Sequence, residues 1–326
     1  MKRREFIGAT ALIAGLTPAL LGKETSVSDP NTKNAWNCAH YSDDKETTIL
    51  PPGLEKPLTV LQIADSHLSW DDESDAEYLP YSKRMGGGTV TKDRWEHFDT
   101  MLQKAKDEKF DLIVLTGDIL NYPSATAVRN VLTRLEGVGV PFLYTAGNHD
   151  WHYEGMKGTS EELRRTWIEK RLKPLYKGRD PMQSSTLIGG INFVCIDNST
   201  YEIAPEQLTF YRHQAARSEP MILLMHIPLY MPSVNIFSCG HPAWGAATDS
   251  FHEIERRPRW SETGCSETTF QFVREVRRSP RLAGILTGHL HQVRTAIEFP
   301  CIQYIAPAAL TGQFRIVRLS KPDEPS

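Results

Sequence analysis

Five short segments of the 326-residue chain gather carboxylate, imidazole and amide side chains: Asp65-Ser66-His67, Gly117-Asp118, Gly147-Asn148-His149-Asp150, His226 and Gly288-His289-Leu290-His291. Singly each is weak, because a Gly-Asp pair commonly makes a turn and an isolated histidine is commonly packed or capping. Each, however, follows an apolar run of strand-like composition, and together they supply oxygen and nitrogen donors with no cysteine. Such donors suit manganese, iron or zinc, two ions of which would sit about 3.5–4 Å apart around a bridging anion. Asp118 is the natural bridging carboxylate. Cation binding lowers the pKa of water from about 15.7 towards about 7, so hydroxide becomes available as a nucleophile near neutral pH.

The elements that must carry these residues alternate. Strands are expected at Leu58 to Ala64, Asp111 to Thr116, Pro141 to Tyr144, Ile191 to Ile196, Met221 to Met225, Leu282 to Leu286, Arg294 to Phe299, Ile302 to Ile305 and Gln313 to Leu319. Helical stripes lie at Lys92 to Lys109, Ser124 to Leu135, Ser160 to Leu172, Pro205 to Ala216 and Glu267 to Arg278, the first with Trp95, Phe98, Met101, Leu102 and Ala105 three and four apart. This is an α/β pattern, in which side chains at strand C-terminal ends converge on one edge of a sheet. Two stretches, 69–90 and 231–265, break the alternation and are expected as long loops beside the motifs.

Composition narrows the classes. With 40% hydrophobic and 24% charged residues the chain is an ordinary globular one, large enough for a core without disulfides. A formal net charge of -3 provides no basic field for nucleic acid, and no CxxC pair is present. At the start, Lys2, Arg3 and Arg4 precede an apolar run from Phe6 to Gly22 that is short for a membrane span. The Arg3-Arg4 pair resembles a twin-arginine export signal, so residues 1–22 are expected to be a signal peptide read by export machinery, with the periplasm as destination. Residues 23–56 then read as a polar lead-in, 57–320 as the catalytic domain with insertions near 69–90 and 231–265, and 321–326 as a tail.

The order D-x-H, GD, GNHD, H, GHxH resembles that of the calcineurin-like metallophosphoesterases, over about Leu58 to Arg318. The resemblance implies a four-layer αββα sandwich, two mixed β-sheets flanked by helices. It implies a first metal on Asp65, His67 and His291, a second on Asn148, His226 and His289, and Asp118 shared between them. His149 would stabilise the transition state or protonate the leaving oxygen, and Asp150 would orient His149 or the local turn. Further likeness lies in Cys195-Ile196-Asp197-Asn198-Ser199, followed by a helix carrying Gln207-Leu208 and Phe210-Tyr211 ahead of the strand that delivers His226.

Departures from the pattern bear on substrate. Asn121 stands three residues after Asp118, where similar Ser/Thr phosphatases carry Asp and Mre11-type nucleases carry His. Purple acid phosphatases place a tyrosine ligand there and usually lack the first-motif histidine; here His67 is present and Tyr122 falls one residue late. An Asn at that place looks more like bacterial glycerophosphodiesterases and cyclic-nucleotide phosphodiesterases. The expectation is therefore a dinuclear hydrolase in which metal-bound hydroxide attacks the phosphorus of a small-molecule phosphodiester. An exported phosphomonoesterase, a pyrophosphate hydrolase and a non-catalytic metal- or phosphate-binding protein are the alternatives. Asn121, Arg84 and His152, with Trp151 and Tyr153, are candidate substrate contacts, and His241, Trp244 and His252 in the second long stretch are candidates to line the mouth of the pocket. Cys195 reads as a core residue, and Cys239 and Cys265 flank the second loop, where an oxidising compartment would allow a disulfide.

Overall fold

A computed structural model describes residues 5–7, 39–87, 90–234, 237–243, 264–298 and 300–321. The strands in it are β1 (Glu5–Ile7), β2 (Ala39–Ser42), β3 (Glu46–Leu50), β4 (Leu58–Ile63), β5 (Leu112–Thr116), β6 (Phe142–Thr145), β7 (Gln183–Ile188), β8 (Ile191–Ile196), β9 (Met221–Leu224), β10 (Leu282–Thr287), β11 (Arg294–Glu298), β12 (Cys301–Ile305) and β13 (Arg315–Leu319). The α-helices are α1 (Leu79–Ser82), α2 (Lys92–Asp107), α3 (Ala125–Val138), α4 (Ser160–Trp167), α5 (Pro205–Ala215) and α6 (Glu267–Arg277).

Strands buried on both faces organise the layers. On β4, Leu58 and Val60 face one way and Leu61 and Ile63 the other; on β5, Leu112 and Val114 oppose Ile113 and Leu115. The first set meets Ile191 and Phe193 of β8, Ile222 and Leu224 of β9 and Tyr304 of β12 between two sheets. The second set packs under Trp95, Phe98 and Leu102 of α2 and Val128 and Val131 of α3. Each such aliphatic side chain, fully buried, contributes about 1.5–3 kcal/mol. One sheet runs β1-β2-β3-β13-β4-β5-β6 and the other β11-β12-β10-β9-β8-β7. Both are mixed: β4, β5 and β6 are parallel and β13 is antiparallel to β4, while β8, β9, β10 and β12 are parallel between antiparallel edges β7 and β11. The architecture is the α/β sandwich of two mixed sheets flanked by helices.

Local sequence accounts for most boundaries. Ser124 caps α3 by accepting from Ala127 N and Gly139 ends it at φ 75°, and Thr159 with Glu162 forms a capping box on α4. Three regions differ from expectation, one of them the polar edge strand β7, which is not among the expected strands. Residues 39–50, read as part of a polar lead-in, form the β2–β3 hairpin, whose turn is closed by Asp43 Oδ1 accepting from Lys45 N and Glu46 N, each at 2.7 Å. Thr47 and Thr48 are polar by composition yet fit a pleated surface, and pairing with β13 buries them. The 69–90 stretch is not an open loop: 3₁₀ turns Glu73–Tyr78 and Lys83–Met85 flank α1. Tyr78 stacks on Tyr153 at 5.6 Å and meets Trp167 edge-on at 5.0 Å, and these tertiary contacts hold a segment too short in period to announce itself. Within residues 1–22, Glu5–Ile7 pair antiparallel with β2; the remainder of that segment, most of 231–265, and the tail 322–326 lie outside the described residues.

Candidate metal centre

The five motif segments leave their strands at one end of the sandwich, and their backbones lace together there. Asp65 N donates to Gly117 O at 3.0 Å, His67 N to Asp118 O at 2.9 Å, and Gly288 N to His226 O at 2.9 Å. Buried Gln62 spans the two sheets beneath, donating to Thr116 Oγ1 of β5 and to Thr287 O of β10. The turns are tight enough that Asp65, His67, Asp118, His289 and His291 all adopt left-handed φ, between 44° and 73°. Non-glycine residues held there carry backbone strain of about 1–3 kcal/mol each, which persists only where surroundings over-determine the geometry.

Glycines of the motifs make that closeness possible. A Cβ on Gly117 would overlap the His226 ring, one on Gly147 would overlap the Asp118 carboxylate, and one on Gly288 would come within 2.6 Å of Asp65 Oδ2. The Gly in each of these three motifs is thus a requirement of the neighbouring donor.

Donor atoms gather in three overlapping sets, the atoms of each within 4.8 Å of one another: Asp65, His67 and His291; His67, Asp118 and His149; and Asp118, His226 and His289. His67 Nε2 is 3.0 Å from His291 Nε2, which is 3.4 Å from Asp65 Oδ1. His226 Nε2 lies at ion-pair distance from Asp118 Oδ2, 3.2 Å, outside hydrogen-bond geometry. Asn148 is buried with neither Oδ1 nor Nδ2 hydrogen-bonded. A buried amide so placed costs about 1–3 kcal/mol unless another partner takes it. Unsatisfied Asn148 and His226 beside a shared carboxylate fit a pair of divalent cations, and no thiol enters the set.

At His67 and His289 the electrostatics agree with that donor set, whereas His226 is held as the partner of Asp118. Burial holds the His67 and His289 imidazoles well below the usual histidine range, hence neutral, the form that ligates. Burial resists the charge on Asp118, but His226, His149 and His67 outweigh it and keep its carboxyl well below the ordinary range. Burial likewise resists a proton on His226, and Asp118 prevails, raising it to about 10.

The other candidates take varied places, Asp150 in the local turn and His149 beside His67 and Asp118. Asp150 does not face the centre: its carboxylate accepts from Asp118 N at 2.9 Å, Leu120 N at 2.7 Å and Gly147 N at 2.8 Å, so it builds the turns instead of touching reacting atoms. Burial, with Asp118 nearby, pushes its carboxyl up to about 7. His149 is half-buried, its N donating to Asp118 Oδ1 at 2.8 Å and its Nδ1 set against Asn121 O at 3.2 Å, with its ring edge-on to His67. Asn121 turns its amide to Met85 O at 2.9 Å, tying the 83–87 turn to the rim. His152 is fully buried, 3.2 Å from Glu154 Oε2, and a buried ring cannot meet a diffusing substrate. Trp151 and Tyr153 are buried too, while Arg84 is exposed beside Gly155. His241 packs on Tyr230 at 4.6 Å, and Trp244 and His252 lie outside the described residues.

Supporting residues emerge that sequence reasoning did not assign. Asn198 Oδ1 accepts from Ile227 N at 3.1 Å and its Nδ2 donates to Ile227 O at 2.7 Å, gripping the chain as it leaves His226. Arg94 donates to His67 O at 2.7 Å. Tyr201 OH is 2.7 Å from His289 Nε2. The Asp197-Asn198-Ser199 run was the available signal for the first; nothing local marked the other two.

A family model described as calcineurin-like phosphoesterase matches residues 58–293. Over 262 residues the chain is 24% identical to a probable cyclic nucleotide phosphodiesterase of Psychrobacter arcticus, covering 77% of this chain and 80% of that one. A protein of the same description from Moraxella catarrhalis is 23% identical over 256 residues, 76% of each. In fold, the chain is similar to a dimetal phosphatase from Danio rerio, with a TM-score of 0.52 at 11% identity over 81% of this chain and 93% of that one. The chain belongs to the calcineurin-like phosphoesterase family and is a metal-dependent phosphoester hydrolase.

Proposed function

We propose that the protein is a phosphodiesterase acting on a small-molecule phosphodiester at a dinuclear centre. Asp65, His67 and His291 would hold one cation, Asn148, His226 and His289 the other, and Asp118 would serve both. When bound, the two cations supply Lewis acidity at the phosphoryl oxygens and a lowered pKa for water. The remaining work belongs to the chain. His149, anchored through Nδ1 against Asn121 O, keeps Nε2 for the phosphoryl group, where it offsets charge or gives its proton to the departing oxygen. Asp150 holds Asp118 and Gly147 in register for that step. The observation that carries the reading is this half-exposed His149 beside His67 and Asp118, which a protein that only binds metal would not need.

Diester preference rests on Asn121, which differs from the residues of the protein phosphatase and nuclease patterns, and on the two relatives' descriptions. Hydrolysis of bis(p-nitrophenyl) phosphate against p-nitrophenyl phosphate at matched manganese tests it, followed by a panel that includes cyclic nucleotides. Faster diester turnover is expected. Faster monoester turnover would make the protein a phosphomonoesterase, and no turnover of any phosphodiester in the panel by protein carrying two ions would overturn the diesterase reading. We infer export as well, from Arg3-Arg4 ahead of the apolar run 6–22. Cell fractionation of the native chain against the Arg3→Lys/Arg4→Lys variant tests this, with retention of the variant in the cytoplasm expected.

A further inference from the structure

Among the residues around the centre, Tyr201 has a geometry that the ligand set does not explain. Its hydroxyl is 2.7 Å from His289 Nε2 and its ring is fully buried, 5.6 Å from the imidazole and nearly perpendicular to it. Its backbone is left-handed at φ 64°, unusual for a bulky side chain. The surroundings impose that conformation: Tyr201 N donates to Asn198 O at 2.8 Å, and its carbonyl accepts from both Cys239 Sγ at 3.3 Å and Cys265 Sγ at 3.4 Å. These are the two cysteines that flank the second long stretch, both free, so their thiols clamp one carbonyl.

An imidazole has two nitrogens, and the partner of one dictates what the other does. His226 has Nδ1 against Thr116 O at 2.9 Å, which leaves Nε2 towards Asp118. His289 shares a cluster with Asp118 and His226, and because its Nε2 is occupied by the phenol, the nitrogen left to serve that cluster would be Nδ1. We propose that Tyr201 is a positioning residue that keeps the His289 proton on Nε2 and presents Nδ1 to the second cation. The phenol oxygen accepts that proton as a hydrogen bond, and the two thiols with Asn198 hold the phenol in place. The inference rests on the dinuclear reading above.

Tyr201→Phe removes only the hydroxyl. Tyr211→Phe is the matched control, since Tyr211 is a buried tyrosine packed on Phe272 of α6. Manganese titration of the metal-free proteins by calorimetry is expected to show two ions on wild type and on Tyr211→Phe, with one of the two bound about 10–100-fold more weakly by Tyr201→Phe. Equal affinity of Tyr201→Phe and wild type for both ions would overturn the proposal while leaving the centre intact; a wild type that binds no ion pair would overturn the centre itself. Should Tyr201→Phe fail to fold, imidazole nitrogen resonances of zinc-loaded wild type decide: the His289 proton on Nε2 is expected, and a proton on Nδ1 overturns the assignment.

Discussion

At the scale of single residues, the proposed centre divides groups expected to hold cations from groups expected to act on substrate. His149→Ala leaves the donors of both cations in place, so it should retain two ions by elemental analysis while turnover falls about 10²–10³-fold, the usual cost of one preorganised electrostatic donor. Asp118→Ala removes the carboxylate common to two donor sets and should emerge from purification without its ion pair. Asp150 belongs to a third class. Its loss strands three buried amides, and at about 1–3 kcal/mol for each unsatisfied group Asp150→Ala should lower unfolding free energy by at least about 3 kcal/mol in a denaturant titration. A purely catalytic Asp150 would instead leave stability unchanged.

At the scale of elements, strand ends and glycines set the donor spacing. Five of the expected ligands sit at left-handed φ within four residues of a strand end, and Gly117, Gly147 and Gly288 provide the clearance. Gly147→Ala drives a methyl into the Asp118 carboxylate. Because Gly147 itself lies after β6 and outside the sheets, far-ultraviolet circular dichroism should stay as in wild type while metal affinity falls by an order of magnitude or more. Retained wild-type affinity would show that Asp118 can shift without cost. The 73–85 segment is a second element-scale device: the buried Arg171–Asp75 pair at 2.6 Å, with Asp75 also accepting from Ala125 N, pins it to α3 beside the rim.

At the scale of the whole molecule, the two sheets are joined by polar bonds as well as by apolar packing. His40 of β2 bonds Tyr304 of β12 at 2.7 Å across the sheet interface, and burial lowers its pKa from 6.5 to about 4. The unfolded chain therefore takes up a proton near pH 6.5 that the native state refuses until about pH 4. This contribution is complete above pH 6.5 and is lost as pH falls towards 4, by about 3 kcal/mol. Stability measured against pH should accordingly drop more steeply for wild type than for His40→Gln between pH 7 and 4. Parallel curves would mean that His40 takes up its proton over the same pH range in the native and unfolded states.

Much of this was legible in the primary structure because periodicity and motif spacing are local. The strands that carry Asp65, Asp118, His226 and His289 and the helices that cover them follow from apolar alternation and stripes of three and four. Polar strands escaped that signal: β7 reads Gln-Ser-Ser-Thr-Leu-Ile, and only Gly189-Gly190 hinted at its hairpin, while β2 and β3 are strands because β13 pairs with β3. The same division runs through the site. Residue types alone marked the candidate metal-donor side chains, since carboxylate, imidazole and amide at strand ends have few other uses together. That Asp150 serves backbone amides, that His152 is sealed away, and that Tyr201 reaches His289 across 88 positions depends on which groups the packed layers bring within 3 Å. Such approaches are set by tertiary packing, and no local pattern in the chain encodes them.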